Sequence, residues 1–234
     1  MPTDLAKVMI AVPTRGLVDF NTITRLQLIR DNEPLLKPIL YVAGRLSVSD
    51  VRNRIVMAFL DSGLEYLIMI DDDVVPHTKL LNILQHDVDI VGAPYFISRA
   101  EVNMPFPSVF TKKEGQSGYV PFEKPFEYLG RPALVKVDAV ATGCIAIKRA
   151  VLSHSDMKAP FNMNYDSHGR YIASDDMAFC SRATQAGFEI YCDFGIPADH
   201  MLQGISMNML HTQYTSVFDK LQKAKDEKSR IILP

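Results

Sequence analysis

The chain has 234 residues, 47% of them hydrophobic, which suits one domain, with or without an extension, built around a sizeable core. A formal net charge of −2 gives no global basic field to draw it to nucleic acid or anionic membrane. Cys144, Cys180 and Cys192 are too few and too far apart for a disulfide framework or a zinc site, residues 1–20 lack a signal-peptide layout, and no apolar run approaches the roughly 20 residues of a membrane span, so a soluble cytoplasmic protein without membrane insertion is expected.

Residues 8–12 form a short apolar strand that Pro13-Thr14-Arg15-Gly16 stops. The spacing of Ile23, Leu26 and Ile29 predicts a helix over 21–30 with Asn21 as its cap. A second strand spans 39–43. Ser49 then caps a helix whose face carries Val51, Ile55, Ala58 and Phe59 and which ends at Asp61-Ser62-Gly63. The apolar run 66–70 is a third, buried strand. A helix over 79–85, with Leu80, Leu81 and Leu84 inward, precedes a short strand at 88–92. Strand and helix in alternation predict an α/β fold, a mostly parallel central sheet with helices on both faces. Residues 93–132 break the pattern with Pro94, Pro105, Pro107, Pro121, Pro125 and Pro132, reading as an irregular loop or an antiparallel hairpin. Strands follow at 133–137 and 139–147, then a short helix from Arg149, an irregular stretch over 154–173, a helix opened by Ser174 and closed by Gly187, and a strand at 189–192. The main domain is expected over 1–205, with an insert at about 95–132, and a lysine-rich helical tail over 206–234.

Asp71-Asp72-Asp73 closes the third strand. Three adjacent carboxylates do not share a dry core, because desolvating unpaired charge is prohibitive. They belong at a polar surface or around a cation, and hard oxygen ligands suit Mg²⁺ or Mn²⁺. The carboxyl ends of parallel strands are also where open α/β sheets bind ligands. Each motif has a plainer reading in isolation. The triplet is a solvated loop, Ser174-Asp175-Asp176 an N-cap with dipole-favoured acids, Arg52 a surface residue beside Asp50, and His200 an ordinary hydrogen-bonded histidine. Arg182 reads as a structural clamp on the acidic pair or on a nearby loop, and Met201, Met207 and Met209 as packing.

The order of Pro13-Thr14-Arg15, Arg52-Asn53, Asp71-Asp72-Asp73, Asp175-Asp176 with Arg182 and Gly187 downstream, and His200 resembles the GT-A nucleotide-sugar glycosyltransferases, in particular their large inverting family. The resemblance covers about residues 7–200, without counterparts for 95–132 or 154–172. It departs at Asp175, where the family has Glu. It implies a Rossmann-like GT-A fold and transfer of a sugar from a nucleoside-diphosphate donor, UDP-sugar by family frequency, with Mn²⁺ or Mg²⁺. Asp73 is then the metal ligand, Asp71 a contact to metal or ribose, and His200 a contact to metal or diphosphate. Asp72 faces ribose or solvent. Pro13, Thr14 and Arg15 line the nucleobase and ribose pocket, Arg52 contacts base or phosphate, and Gly143 lines the donor–acceptor junction. Asp176 takes the position of the catalytic base, supported by Asp175. The helix dipole would weaken that base and burial would strengthen it, and the residues alone leave the balance open.

Two other classes compete. A sugar-phosphate nucleotidyltransferase would want a Gly-rich phosphate loop after the first strand, and Pro13-Thr14-Arg15-Gly16 is a poor one. A non-catalytic sugar-nucleotide or glycan-binding module would not need the Asp175-Asp176 pair. Small free-standing enzymes of the resembled type occur in bacterial and bacteriophage cell-surface or DNA modification, so hydroxymethylated DNA and cell-surface glycans stand as acceptor candidates.

Overall fold

Seven strands build the central sheet: β1 (Val8–Thr14), β2 (Leu40–Ala43), β3 (Tyr66–Ile70), β4 (Ile90–Gly92), β5 (Leu134–Val137), β6 (Cys144–Lys148) and β7 (Ile190–Asp193). The computed structural model describes residues 4–44, 47–97, 105–114, 118–123, 125–202 and 205–206. Of the helical tail expected over 206–234, Ser206 pairs in a short strand instead, and the rest, with Met207, Met209 and His211, lies outside them. In space the strands run β5-β7-β4-β6-β3-β1-β2. β1 is parallel to β2 and β3, and β4 is parallel to β7. β6 opposes both β3 and β4, and β5 opposes β7. Five of the seven strands thus point the same way and only β5 and β6 are reversed, so the sheet is mostly parallel in direction, as the alternation predicts.

Among the described residues three helices of three or more turns accompany it: α1 (Phe20–Asn32), α2 (Val48–Ser62) and α3 (Asp175–Gln185). Ile10, Ala11 and Val12 in β1, and Leu67, Ile68, Met69 and Ile70 in β3, are all buried. Successive strand side chains point to opposite faces, so both faces of the sheet are covered at these strands.

Several boundaries differ from the sequence reading, each for a local reason. β1 runs through Pro13, which pairs with Val42. Thr14 turns its carbonyl to Gly44 on the β2 side. Pro13 therefore faces the β3 side, where pairing has already ended at Ala11 and no ladder N–H is needed. Asp19, not Asn21, caps α1, accepting from the Asn21 and Thr22 amides, and Thr22 rather than Ile23 faces inward. Ser47, not Ser49, caps α2 by accepting from the Asp50 amide, and Val56 replaces Ala58 on its buried face. Gly63 ends α2 in the left-handed region at φ 72°. The Arg149 guanidinium then donates to the carbonyls of Phe59, Leu60 and Leu64, satisfying acceptors that a helix end leaves open. Residues 80–86 form a 3₁₀ helix with Ile83, not Leu81, buried beside Leu80 and Leu84.

The described parts of the proline-rich insert hold short antiparallel strands. Phe96–Ile97 pairs with Phe106–Pro107, and Val109–Thr111 pairs with Val120–Pro121 and Ala139–Val140. Residues 154–173 include a hairpin of Asn164–Tyr165 with Tyr171–Ala173 that leads directly into α3. The three cysteines are buried and free, and burial pushes the Cys144 and Cys180 thiols up to about 12. No helix among the described residues is long and apolar enough to cross a membrane.

Candidate active site

The parallel pairing of β1 and β3 brings the loop after Thr14 and the aspartate triplet to the same edge of the sheet, at the carboxyl ends of both strands. The three aspartates diverge there. The Asp71 amide donates to the Gly143 carbonyl at 2.9 Å, carrying the β3–β6 pairing one residue beyond Ile70. The Asp72 carbonyl accepts from the Asp19 amide at 2.7 Å, and its carboxylate accepts from the Arg15 amide at 3.3 Å, so Asp72 pins the loop after β1. Burial raises the pKa of Asp72, against the opposing hydrogen bonds from Thr14 and Arg15. The Asp73 carbonyl accepts from the Met201 amide at 2.7 Å.

That last bond belongs to an element the sequence did not reveal. Asp199–Leu202 is a strand antiparallel to Val74–Val75, with His200 opposite Val74. It sets His200 Nε2 3.3 Å from Asp73 Oδ2 and His200 Nδ1 3.1 Å from the Phe96 carbonyl. A carbonyl only accepts, so Nδ1 carries the hydrogen. In neutral imidazole Nε2 then presents a bare lone pair to a carboxylate. Two facing lone pairs call for a proton or a cation between them. Burial pulls the imidazole pKa down, but the Asp73 carboxylate and the Phe96 carbonyl outweigh it and leave it raised. Both side chains are partly exposed, Asp73 at 46% and His200 at 21%, so an ion from solution can reach them. A histidine that ligates a metal commonly donates its other ring N–H to a carbonyl in this way, which fixes the ring's tautomer and orientation. Asp73 and His200 thus fit a divalent cation. Among the described residues no three His, Cys, Asp or Glu side chains cluster for one. A cation here would depend on oxygens from a bound diphosphate and water, as Mg²⁺-type sites commonly do.

Arg52 is the residue whose placement the sequence reading did not anticipate. It is 6% exposed. Its Nη2 lies 2.8 Å from both carboxylate oxygens of Asp71, and its Nη1 lies 2.7 Å from Asp175 Oδ2. Asp175 is buried as well. Burial works against the charged guanidinium, and the Asp71 and Asp175 carboxylates outweigh it, so Arg52 is held cationic. Arg54, one turn away from Asp50, takes the surface pairing considered for Arg52. Helical periodicity was the available signal, since Arg52 falls next to Val51 and one turn before Ile55 and Val56 on the buried side.

Asp176 follows Asp175 in the first turn of α3. Its carboxylate accepts from the Ser174 hydroxyl and, at 2.9 Å, from the Met177 amide. Ser174 therefore spends its hydroxyl on Asp176 and makes no cap bond to the helix backbone. Burial is the largest influence on Asp176 and raises its pKa over the opposing effects of Ser174 and Arg52. The balance left open by the sequence falls on the side of a stronger base. Gly143 sits between the halves. Its amide donates to the Tyr95 hydroxyl at 3.0 Å, and a Cβ there would overlap that hydroxyl and come within 3.1 Å of Asp71 Oδ2. Tyr95 in turn packs edge-on to His200, with centroids 5.6 Å apart. Arg182 donates to the Pro160 and Asn162 carbonyls and to Asn164, clamping the loop before the hairpin rather than the acidic pair.

A cleft of about 390 Å³ opens onto the triplet. Pro13, Thr14, Arg15, Arg52, Asp71, Asp72 and Asp73 line it, joined by Ser47, Val48 and Met163, which sequence reasoning missed. Ser47 and Val48 begin α2, and Met163 precedes the hairpin, so they reach the cleft only through tertiary folding. Gly143, Asp175, Asp176 and His200 stand behind or beside the lining rather than in it.

No protein-family model matches the chain, and no curated protein does. Among solved structures it is similar to A197 from STIV, at 20% identity over 84% of this chain and 86% of that one, with a TM-score of 0.55. That likeness shows a shared fold. GalNAc-T7, solved with UDP, GalNAc and Mn²⁺, matches at 13% identity over 85% of this chain and 38% of its own, with a TM-score of 0.44.

Proposed function

We propose that the chain is a metal-dependent glycosyltransferase of the GT-A type that moves a sugar from a nucleoside-diphosphate donor, UDP-sugar in the first instance, to an acceptor hydroxyl with inversion. The observation that carries this reading is the meeting of the two acidic motifs. Asp71, from the triplet, and Asp175, from the start of α3, are bound by one buried guanidinium. The segment that carries Asp73 and the helix start that carries Asp176 are thereby tied together beside one cleft. A surface loop and an unrelated helix cap would have no reason to be joined this way.

In this reading the cleft beside Pro13, Thr14 and Arg15 holds the nucleoside. Asp73 and His200 hold Mn²⁺ or Mg²⁺, which when bound supplies positive charge to the departing diphosphate. Asp71, whose two oxygens already accept from Arg52, is left to shape the cleft wall and the field around the ion. Asp176 accepts the proton of the attacking hydroxyl, a role its raised pKa serves, because a general base works best when its pKa approaches the working pH. Gly143 lets Tyr95 and Asp71 approach each other at the junction.

The test is UDP release from a panel of UDP-sugars with Mn²⁺, with hydroxymethyl-containing DNA and with glycans as acceptors. Metal-dependent release that is lost in Asp176→Asn is expected. Pyrophosphate formation from a sugar phosphate and a nucleoside triphosphate would replace this reading with a nucleotidyltransferase. Tight UDP binding without turnover on any donor would replace it with a binding module.

A further inference from the structure

We infer that Arg52 is a positioning residue, not a donor ligand: it sets the base Asp176 by fixing Asp175, and it ties that placement to the triplet through Asp71. The inference rests on the glycosyltransferase reading above and deepens it.

The geometry assigns both terminal nitrogens of Arg52 to protein carboxylates. Nη2 is shared by the two oxygens of Asp71 and Nη1 is held by Asp175, at 2.7 to 2.8 Å throughout. Nε is buried and has no partner. A guanidinium that binds phosphate presents a bidentate edge to it. Here one terminal nitrogen faces one carboxylate and the other faces another, so no such edge is free for a ligand in the cleft. Asp175, fixed at the first position of α3, is followed at once by Asp176, whose carboxylate is further restrained by Ser174 and the Met177 amide. Moving Asp175 moves the start of α3 and the base with it. On the other side, Asp71 is held through its amide by the Gly143 carbonyl, and Gly143 is held through its own amide by Tyr95, which packs on His200. The chain of contacts from Asp176 to His200 thus runs through Arg52.

Lysine at position 52 keeps the charge but lacks the fork that serves two carboxylates. Three variants, Arg52→Lys, Asp175→Asn and the pair combined, separate the possibilities, and thermal melting reports which of them fold. The readouts are calorimetric affinity for UDP with Mn²⁺ and kcat for UDP release from the best UDP-sugar of the panel. Each single variant is expected to keep UDP affinity within about threefold and to lose roughly 10- to 100-fold in kcat, the scale of a small misplacement of a reacting group. The combined variant is expected to be no worse than the poorer single one, because both changes break the same unit. A fall in UDP affinity that matches the fall in kcat in Arg52→Lys would overturn the inference in favour of a donor contact. So would multiplicative losses in the combined variant, or full kcat in Arg52→Lys. If the wild-type protein releases UDP from no donor, the glycosyltransferase reading fails first and this inference falls with it.

Discussion

The three aspartates of the triplet share a motif but not an environment, and their chemistry follows the partners each one meets. Asp72 is bound to the loop after β1, Asp71 to Arg52, and Asp73 to His200. Replacing Arg52 with Ala would leave two carboxylates without their cation, one of them buried, and such a break typically costs about 3–5 kcal/mol. The expected result is a clearly lower urea midpoint at neutral pH. Asp176 behaves in the opposite sense. Its pKa is raised in the folded state, so the stability it contributes is present at low pH and is lost as pH rises through that raised value. Asp176→Asn removes this cost, and its melting temperature at neutral pH is expected to equal or exceed wild type. Turnover is expected to fall by about 10²- to 10⁴-fold. In the proposed function, the same raised pKa would set the acid limb of turnover. The base must be ionised, so kcat declines as pH falls, with a midpoint above the ordinary aspartate range. A kcat–pH profile with its acid limb at or below that range would contradict the role of Asp176.

Elements show where local sequence is a sufficient guide and where it is not. Runs such as Tyr66–Ile70 are legible because a buried strand needs an unbroken apolar sequence, and α3 because Ser174 and two acids precede a periodic stretch. The caps of α1 and α2 are shifted by two residues because several polar residues compete for each cap and only backbone geometry chooses among them. Ser47→Ala is accordingly expected to cost about 1 kcal/mol in chemical denaturation, whereas Ser49→Ala, whose buried hydroxyl has no partner, is expected to be neutral or stabilising. The strand carrying His200 escaped prediction because its partners are two-residue strands, Val74–Val75 after the triplet and Ile205–Ser206 beyond it, and it has no periodicity of its own. Gly143 was legible as a point of close approach, and the structure names what approaches. Gly143→Ala would drive a methyl group into Tyr95 and toward Asp71, at a cost of about 1–3 kcal/mol. It is expected to lower activity more than stability alone would account for, measured as kcat beside the melting temperature.

At the scale of the whole molecule, a mostly parallel sheet delivers residues far apart in sequence to one edge. Pro13 to Arg15, Arg52 and the triplet share a cleft because β1 and β3 are adjacent and parallel and α2 connects β2 to β3. That gathering was legible from the alternation of strands and helices. The direction in which each side chain turns was not, since the pairing of Arg52 with Asp71 and Asp175 depends on long-range packing that no local pattern encodes. The central claim is that this edge binds a nucleoside diphosphate through a cation held by Asp73 and His200. Calorimetry of UDP with the wild-type protein and with Asp73→Asn, each with and without Mn²⁺, tests it most directly. The account predicts UDP binding by the wild type that requires Mn²⁺ and is lost or greatly weakened in Asp73→Asn. Metal-dependent UDP binding of wild-type strength in Asp73→Asn would contradict it.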